Sequence, residues 1–462
     1  MNAPQPLAPA PNGAHIAIIG AGASGVIMAA HLLADTRAGF RVSLIEAQGN
    51  SGRKLGRGVA YSTESPDHLL NTRASNMSVF PDDSDHFQRW LNMQNLEEKG
   101  CEFVRRSTYG AYLGSLLQPW LGSEPVERLR LIPEEVLALD ELGGRVVLTL
   151  SGGGQLLADY AILATGHVIA RDTAGGAIAR AWDAPAPIAA GASVVIIGSG
   201  LSMVDNALTL LASGHRGQII SLSRRGLLPR GHGHIDPAQI ATADIPWGQP
   251  LSQVLRWLRG RIAARVAAGG TWMDEVDGLR PHAAQIWRSL PIPARARFLR
   301  HGAPWWDVHR HRIPPASQSV IEEAISSGQL LIEKGHFLWA ARGTDGQIEA
   351  RYRRDINAPE TSVIAARVID CRGIRLDAGK NAGPLVQHLL TSSQSRLDPL
   401  RIGLDVNAQT QVVGADGQPS PRLMAIGPAS RATFWEITAI PDIRLQAAGL
   451  ADRLAQRAYE KV

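Results

Sequence analysis

The sequence predicts an α/β fold built from two βαβ units with a helical insertion. Two observations lead to this fold class. Glycine-rich turns follow short apolar, strand-like segments at two places, near Gly20 and near Gly198. Each turn leads into an apolar helix-like stretch and then a second strand-like segment, which is the order of a βαβ unit. Strands that alternate with helices favour parallel sheets.

Length and composition agree with a globular protein of several units. At about 150 residues per domain, 462 residues indicate about three units. Apolar residues make up 45% of the chain and charged residues 19%, which excludes a disordered chain, a coiled coil and a collagen-like repeat. The two cysteines, Cys101 and Cys371, form no CxxC pair. We therefore expect no disulfide framework, thiolate zinc site or dithiol centre, and a reducing, cytoplasmic setting.

The charge pattern indicates neither a nucleic-acid surface nor a membrane segment. The formal net charge is +5, from 47 basic and 42 acidic residues, and the arginines are spread along the chain. A nucleic-acid site would need them clustered on one face. The longest apolar stretch, residues 15–34, is interrupted by three glycines, so no membrane span is predicted. Residues 1–13 have neither a cationic start nor an apolar core and are expected to be a disordered leader rather than a signal peptide.

The first unit has the pattern of a dinucleotide site. In the segment Gly20-Ala-Gly22-Ala-Ser24-Gly25, the first glycine permits a tight turn and the second allows the backbone to approach a pyrophosphate. The third allows close packing of the helix, whose N-terminus favours an anion. Glu46 ends the second strand, where a carboxylate accepts hydrogen bonds from ribose hydroxyls.

The second unit repeats this pattern, but different residues follow its second strand. Gly198-Ser-Gly200-Leu-Ser202 follows the strand-like Val-Val-Ile-Ile, and the next strand runs over residues 219–223. No carboxylate ends that strand; Arg224 and Arg225 stand there instead. Arginine suits the 2′-phosphate of NADPH, which favours NADPH over NADH. The alternative is that both arginines are solvated turn residues.

The remaining segments complete the domain organisation. A hairpin over residues 145–166 leads into a buried strand ending at Gly166, and residues 237–313 carry helical periodicity and six of the eleven tryptophans. A strand at residues 423–427 precedes an amphipathic helix at 442–457, whose N-terminus is expected to present the N–H groups of Asp442 and Ile443 to a bound ring. The predicted boundaries are a leader at 1–13, a first nucleotide domain at 14–188 and 373–462, a second at 189–236 and 314–372, and a helical insertion at 237–313.

These motifs carry a resemblance to a known family. The chain resembles flavoproteins with two dinucleotide-binding domains, which include flavin-containing and N-hydroxylating monooxygenases. More narrowly, it is similar to the bacterial FAD/NAD(P)-binding family that includes one type of FAD-dependent urate hydroxylase. The segments that carry this likeness are GRGVAYS from residue 56, LLN ending at Asn71, SRRGLLPRGH from 223, WDVHRHR from 306 and FWEITAIPDIR from 434.

The resemblance implies FAD in the first unit and NADPH, or NADH, in the second, and thus two Rossmann-like domains. Many relatives with this architecture carry Gly-Asp at the C-terminal strand, where the Asp binds the ribityl chain, whereas this sequence has Gly427-Pro428. The expected cofactor contacts are Gly20, Gly22, Ser24, Gly25, Glu46, Tyr61, Asn71, Gly166, Gly198, Gly200, Ser202, Arg224, Arg225 and Gly427.

Three residues are candidates for the substrate pocket: Tyr61, His311 and Trp435. Tyr61 and Trp435 fall in segments expected to flank the isoalloxazine, and the alternative for Trp435 is a core anchor. The His-x-His pairs at 232/234 and 309/311 lack an accompanying acid, so we favour loops contacting cofactor or substrate over a metal site, and no metal is predicted. No side-chain triad or carboxylate pair stands out, which fits chemistry carried by a flavin.

The leading hypothesis is a FAD-dependent, NAD(P)H-consuming monooxygenase that uses O2 to hydroxylate a small electron-rich heterocycle. The resemblance favours urate, hydroxylated at C5, and hence purine metabolism. One alternative is an NAD(P)H-dependent flavin oxidoreductase, either an N-hydroxylase or an electron donor to a partner, without urate activity. Another is a nucleotide-dependent redox sensor or RNA-associated protein. The sequence does not predict an oligomeric state.

Overall fold

The fold is an α/β architecture with two Rossmann-type units, seen in a computed structural model of the chain. This confirms the fold class predicted from the sequence. The structure describes residues 13–47, 55–96, 98, 100–122, 128–167, 176–183, 187–373 and 377–459. The predicted leader at 1–13 lies outside the described residues except for Gly13.

The first unit is built on a six-stranded sheet. Its central strands are parallel, with β1 (His15–Ile19) between β2 (Arg41–Ile45) and β7 (Tyr160–Leu163). The outer strands complete the order β16-β17-β7-β1-β2-β3, with β3 at Leu129–Ile132, β16 at Gln411–Val413 and β17 at Pro419–Ala425. β17 runs parallel to β7, so the C-terminal part of the chain returns to the first unit.

The second unit has a five-stranded sheet in which every pair of neighbours is parallel. Its order is β11-β10-β9-β15-β8, with β8 at Ile178–Arg180, β9 at Val194–Ile197, β10 at Ile219–Ser223, β11 at Leu330–Lys334 and β15 at Arg367–Asp370. The position of β8 corrects one expected boundary. Residues 14–188 were assigned to the first unit, but β8 pairs with β15, so the boundary falls before Ile178. A three-residue strand carries too short a pattern to reveal its sheet from sequence.

The two units are repeats of one design. In each, a three-stranded antiparallel sheet precedes the strand that lies beside the glycine turn. These sheets contain β4 (Val136–Leu142), β5 (Arg145–Leu150) and β6 (Gln155–Ala158) in the first unit, and β12 (His336–Arg342), β13 (Ile348–Arg353) and β14 (Glu360–Ala365) in the second. β7 and β15 therefore occupy equivalent places beside β1 and β9.

Helices cover the sheets and form the insertion. In the first unit α1 (Ala23–Ala34) packs against the C-terminal α13 (Ile440–Tyr459), and in the second α4 (Leu201–Ala212) follows the glycine turn. The insertion contains α5 (Leu251–Ala267), α6 (Trp272–Leu279), α7 (Ala283–Ser289), α8 (Ile292–Arg297), a π-helix at Phe298–Gly302 and α9 (Ala303–Arg310). The other helices are α2 (His86–Gln94), α3 (Arg106–Ser115), α10 (Pro315–Ser326), α11 (Pro384–Thr391) and α12 (Arg431–Phe434).

A bidentate ion pair links the first unit to the second. The guanidinium of Arg106 on α3 donates to both carboxylate oxygens of Asp205 on α4, at 2.6 and 3.1 Å. The Nε2 atom of His68 lies 2.9 Å from the carbonyl oxygen of Asp205. Because Asp205 lies one turn into the helix after the second glycine motif, these contacts fix the second turn relative to the first unit.

Three further observations bear on the remaining expectations. Cys101 is exposed and Cys371 is buried, and both are free thiols. Across the described part of the chain, no helix is long and apolar enough to cross a membrane. Within the same residues, no group of three His, Cys, Asp or Glu side chains is arranged to hold a metal ion.

Candidate functional site

The first glycine turn is fixed by close backbone contacts. Gly20 has a φ of +108°, and a Cβ atom there would stand 2.4 Å from the carbonyl oxygen of Ala164, at the end of β7. Its N–H donates to the carbonyl of Ile45 at 2.8 Å. A Cβ on Gly25 would lie 1.9 Å from the Gly20 carbonyl oxygen. Both glycines are therefore required by the fold itself.

Gly22 differs because its backbone would accept a side chain. Its φ is −72°, and a Cβ there would meet only the Cα atom of Gly58, at 3.6 Å. The segment that begins at Leu55 covers the turn, and the Gly56 N–H donates to the carbonyl of Ala21 at 2.9 Å. Helix α1 has no side-chain cap and no acidic residue in its first turn. The turn thus leaves helix N–H groups for an anion.

Glu46 lies beside this turn as expected from its place after β2. Its Oε2 atom accepts a hydrogen bond from the Ala21 N–H at 2.6 Å. Among the described residues the other carboxylate oxygen makes no hydrogen bond, so it remains available to a ribose hydroxyl. One side chain can therefore both hold the turn and contact a nucleotide.

The second turn repeats this geometry. Gly198 has a φ of +115°, and its Cβ would stand 2.5 Å from the carbonyl oxygen of Cys371, which follows β15. Its N–H donates to the Leu222 carbonyl at 2.8 Å. A Cβ on Gly200 would meet nothing within 4 Å, and α4 also lacks a side-chain cap and an acidic first turn. Ser202, in the first turn of α4, is partly buried.

The two arginines after β10 have different environments. Arg224 is exposed, and its side chain makes no hydrogen bond within the described chain. Arg225 donates through Nη2 to the Arg300 carbonyl at 2.9 Å, so the helical insertion partly occupies it. Arg224 is therefore the freer of the two to bind a phosphate.

The C-terminal segment meets the first unit at Gly427. This residue has a φ of +58°, and a Cβ there would stand 2.2 Å from the Oγ atom of the buried Ser24. Its N–H donates to Oε1 of Gln446 at 2.7 Å. Gly166, at the end of the β7 segment, has a φ of +73° and open space where a Cβ would point.

One expectation for this segment is wrong. We expected the helix N-terminus to present the N–H groups of Asp442 and Ile443. Both donate to the carbonyl of Ala439 at 3.0 Å, because α13 begins at Ile440, earlier than predicted. Those two donors are therefore not free for a bound ring.

Tyr61 packs against the core of the first unit, and Asn71 contacts a residue of the second unit. Tyr61 is partly buried, packs against Tyr109 with ring centroids 5.0 Å apart, and has its pKa raised by burial. The carbonyl oxygen of Asn71 lies 3.1 Å from Nε2 of His232, whose pKa burial lowers to about 4. His234 is exposed, so the first His-x-His pair is split between two environments.

Trp435 lies in an apolar cluster between the C-terminal segment and the insertion. It is 7% exposed, and its ring stacks on Trp287 with centroids 4.7 Å apart and an interplanar angle of 23°. Phe298 meets it edge-on at 5.6 Å, and the Arg431 guanidinium lies 4.8 Å from the ring centroid. Its φ of +40° is unusual for a residue with a side chain. This packing fits the core-anchor alternative better than a cover for a ring.

A group of charged residues lies where α9 meets the C-terminal segment. The carboxylate of Glu436 accepts a hydrogen bond from the Trp306 indole at 2.7 Å and has Nε of Arg310 3.2 Å away. Both charged partners are under 10% exposed. Burial alone would raise the pKa of Glu436, but His311, Arg310 and the indole hold it below its usual value.

Asp307 and His311 belong to the same group. Burial, together with the carboxylate of Glu436, raises the pKa of Asp307 to about 7, and Arg431 opposes this rise. Burial lowers the pKa of His311 to about 4, so its imidazole is neutral at pH 7. His311 was a candidate from the sequence, whereas Asp307 and Arg431 were not. Asp307 and His311 both belong to the WDVHRHR motif, but only the fold shows which residues of this motif face the C-terminal segment.

Comparisons with known proteins agree with this geometry. Residues 17–168 match a family model described as FAD-NAD(P)-binding. The matched range contains the whole first glycine turn and Glu46. No curated protein matches the sequence.

Solved structures cover nearly the whole chain. An ornithine hydroxylase from Pseudomonas aeruginosa is similar with a TM-score of 0.64 and 16% identity over 96% of this chain and 99% of that one. A cadaverine monooxygenase from Erwinia amylovora, solved with FAD, is similar with a TM-score of 0.65 and 13% identity, over 95% of this chain and 94% of that one. An ornithine N-hydroxylase from Kutzneria sp. 744, solved with reduced FAD and NADP+, is similar with a TM-score of 0.62 and 13% identity, over 97% of this chain and 100% of that one. The chain therefore has the fold of flavin-dependent monooxygenases.

Proposed function

We propose that this chain is a FAD-dependent, NAD(P)H-consuming monooxygenase that N-hydroxylates a small amine. The observation that carries the proposal is the duplicated glycine turn. Two turns with the same strand contacts, the same uncapped helix and one unhindered glycine each occur in one chain. A single nucleotide would use one of them, so the pair indicates two dinucleotides.

The residues of the first turn fit FAD. Gly22 and Gly58 place no side chain beside the N-terminus of α1, where a pyrophosphate can bind, and Glu46 offers an oxygen to the adenosine ribose. Gly166, at the end of the β7 segment, has open space where a Cβ would point, so its backbone can approach the flavin ring. Ser24 is held against Gly427, so it joins the C-terminal segment to this site.

The residues of the second turn fit NADPH. Gly200 leaves open space before α4, and the exposed Arg224 follows β10, where a 2′-phosphate would lie. When bound, FAD and NADPH would supply hydride transfer and oxygen activation. The protein would then provide orientation and exclude water, and the helical insertion lies where it can cover the reaction.

Amines are favoured over urate by the solved relatives. The three named above are described as acting on ornithine or cadaverine, and none is described as a urate hydroxylase.

We expect Arg224→Ala to weaken NADPH binding more than NADH binding. One charged hydrogen bond is lost, which costs about 1.5–3 kcal/mol for NADPH alone. The measurement is KM for each nucleotide in NAD(P)H oxidation. Arg225→Ala is the matched control and should change the preference less, because its guanidinium already donates to the Arg300 carbonyl. An equal increase of KM for NADPH and NADH in Arg224→Ala would show that Arg224 does not bind the 2′-phosphate.

Product stoichiometry tests the reaction class. The purified protein is supplied with NADPH, O2 and ornithine, lysine, cadaverine or urate. We expect one of the amines to give a hydroxylated product equal in amount to the NADPH consumed. Product from urate alone would support the heterocycle hypothesis instead. NADPH oxidation that yields only hydrogen peroxide with every compound, but reduces an added protein or quinone acceptor, would support a reductase.

A further inference from the structure

A small cavity lies between the end of β7 and the turn that leads from β17 into α12. Its wall includes Gly166, His167, Pro428 and Arg431, and most of the remaining lining is apolar. The cavity has a volume of about 30 Å³, so it can hold a few water molecules or one carboxylate group. Its polar side chains therefore decide what it binds.

Arg431 is the charged residue of this wall. Its guanidinium lies on the ring of Trp435, 4.8 Å from the ring centroid. It makes no hydrogen bond or ion pair with any residue that the structure describes. A guanidinium that rests on an aromatic face keeps its N–H groups in its own plane. These donors are therefore free for a planar anion such as a carboxylate, which an arginine can bind through two parallel hydrogen bonds.

The positive charge of Arg431 has no paired anion. Burial lowers the pKa of Arg431, and the charges of Asp307 and Glu436 oppose this effect. Glu436 already has Nε of Arg310 3.2 Å away. Burial raises the pKa of Asp307 to about 7, so this carboxyl is only partly ionised at neutral pH. Because a buried charge is costly without a partner, an anion bound beside Arg431 would stabilise the site.

His167 adds a second unused polar group to the same cavity. Its Nδ1 atom is buried and has no partner among the described residues. Burial, together with the charge of Arg431, lowers the pKa of His167 to about 4, so the imidazole is neutral at pH 7. A neutral imidazole can donate one hydrogen bond, and a buried polar atom without a partner indicates a group still to be bound.

We propose that Arg431 and His167 bind the α-carboxylate of an amino-acid substrate. The inference rests on the proposed amine N-hydroxylation, and it narrows the substrate from a small amine to an amino acid with a side-chain amine. The cavity adjoins Gly166, whose open backbone is expected to approach the flavin ring. The carboxylate binds in the cavity, and the side chain carries the amine out of it. A diamine has no carboxylate and leaves Arg431 unpaired.

Matched pairs of ligands test this site without requiring turnover. Putrescine is ornithine without its carboxylate, and cadaverine is lysine without its carboxylate. Each compound is titrated into the oxidised, FAD-loaded protein, and binding is measured by calorimetry. We expect the wild type to bind at least one of the two amino acids about tenfold or more tightly than the matching diamine, as for one charged hydrogen bond.

Substitution of the two polar residues should remove this selectivity. Arg431→Gln should weaken binding of the amino acid by about 10- to 100-fold and leave binding of the diamine nearly unchanged. Arg431→Lys keeps the charge and should restore part of the selectivity. His167→Ala should weaken binding of the amino acid by a smaller factor. FAD content shows whether each variant is folded.

Arg288→Gln is the matched control. The guanidinium of Arg288 also lies over an aromatic ring, 5.5 Å from the centroid of Phe434, but Arg288 does not line the cavity. The ratio of amino-acid to diamine affinity should therefore stay at the wild-type value. Loss of an arginine that only supports the packing would lower both affinities together and leave this ratio unchanged.

The outcomes separate the carboxylate site from the proposed function. A wild-type ratio of affinities in Arg431→Gln would overturn the role of Arg431, and so would a wild type that binds each diamine as tightly as its amino acid or binds neither. Acetate that binds through Arg431 without competition from the amino acids would assign the cavity to a free anion instead. Amino-acid binding through Arg431 without any hydroxylated product would contradict the proposed function and retain the carboxylate site.

Discussion

Gly22→Val should give a folded protein that contains no FAD. Gly22 has a φ of −72°, which valine adopts without strain, and its Cβ would lie 3.6 Å from the Cα of Gly58. The two methyl groups would then fill the space in which the backbone must approach the pyrophosphate. We expect loss of the flavin absorbance on purification, with a circular dichroism spectrum like that of the wild type.

Two other glycines provide matched controls. Gly200→Val makes the same change in the second unit, so this variant should retain FAD and lose reduction by NADPH. Gly20→Val places a side chain 2.4 Å from the Ala164 carbonyl oxygen at a φ of +108°, so it should disrupt folding as well as binding. A Gly22→Val protein that purifies with a full complement of FAD would contradict the assignment of FAD to the first turn.

Trp435→Ala should destabilise the contact between the insertion and the C-terminal segment. The ring is 7% exposed and packs against Trp287 and Phe298, and truncation of a buried tryptophan costs about 3–5 kcal/mol. The positive φ of Trp435 remains in the variant, so no strain is relieved. We expect a lower thermal midpoint and, because the loosened insertion admits water, more hydrogen peroxide per NADPH consumed.

Trp339→Ala is the control for the loss of an indole. Trp339 is 43% exposed and is on β12, which belongs to a different sheet from the C-terminal strands β16 and β17. Its replacement should change stability by about 0.5 kcal/mol or less. If Trp435→Ala unfolds at the same midpoint as the wild type but forms less product, Trp435 acts on the substrate rather than as an anchor.

The sequence was sufficient to predict both nucleotide units because their signals are local. Gly20 and Gly198 belong to short motifs in which strand, turn and helix follow one another, and backbone sterics require glycine at these positions. The return of the C-terminal strand to the first sheet was also predicted, through the resemblance. The three-residue β8 was assigned to the wrong unit because pairing with β15 is a long-range contact.

The charged group could not be predicted in the same way. Asp307 lies more than 100 residues before Arg431 and Glu436, and each of the three is ordinary in its local sequence. Their properties arise only when α9 packs against the C-terminal segment, because burial and opposing charges then set the protonation of Asp307. His311 was selected from its motif, but the environment that keeps it neutral required the fold.

Anaerobic reduction by NADPH tests most directly the central claim, that one chain holds a flavin in its first glycine turn and a nicotinamide nucleotide in its second. The wild type, Gly22→Val and Gly200→Val are each mixed with NADPH without oxygen while flavin absorbance is followed. We predict that the wild type is yellow and bleaches, that Gly22→Val is colourless, and that Gly200→Val stays yellow and bleaches only with dithionite. A Gly200→Val protein reduced by NADPH as fast as the wild type would contradict the two-site account.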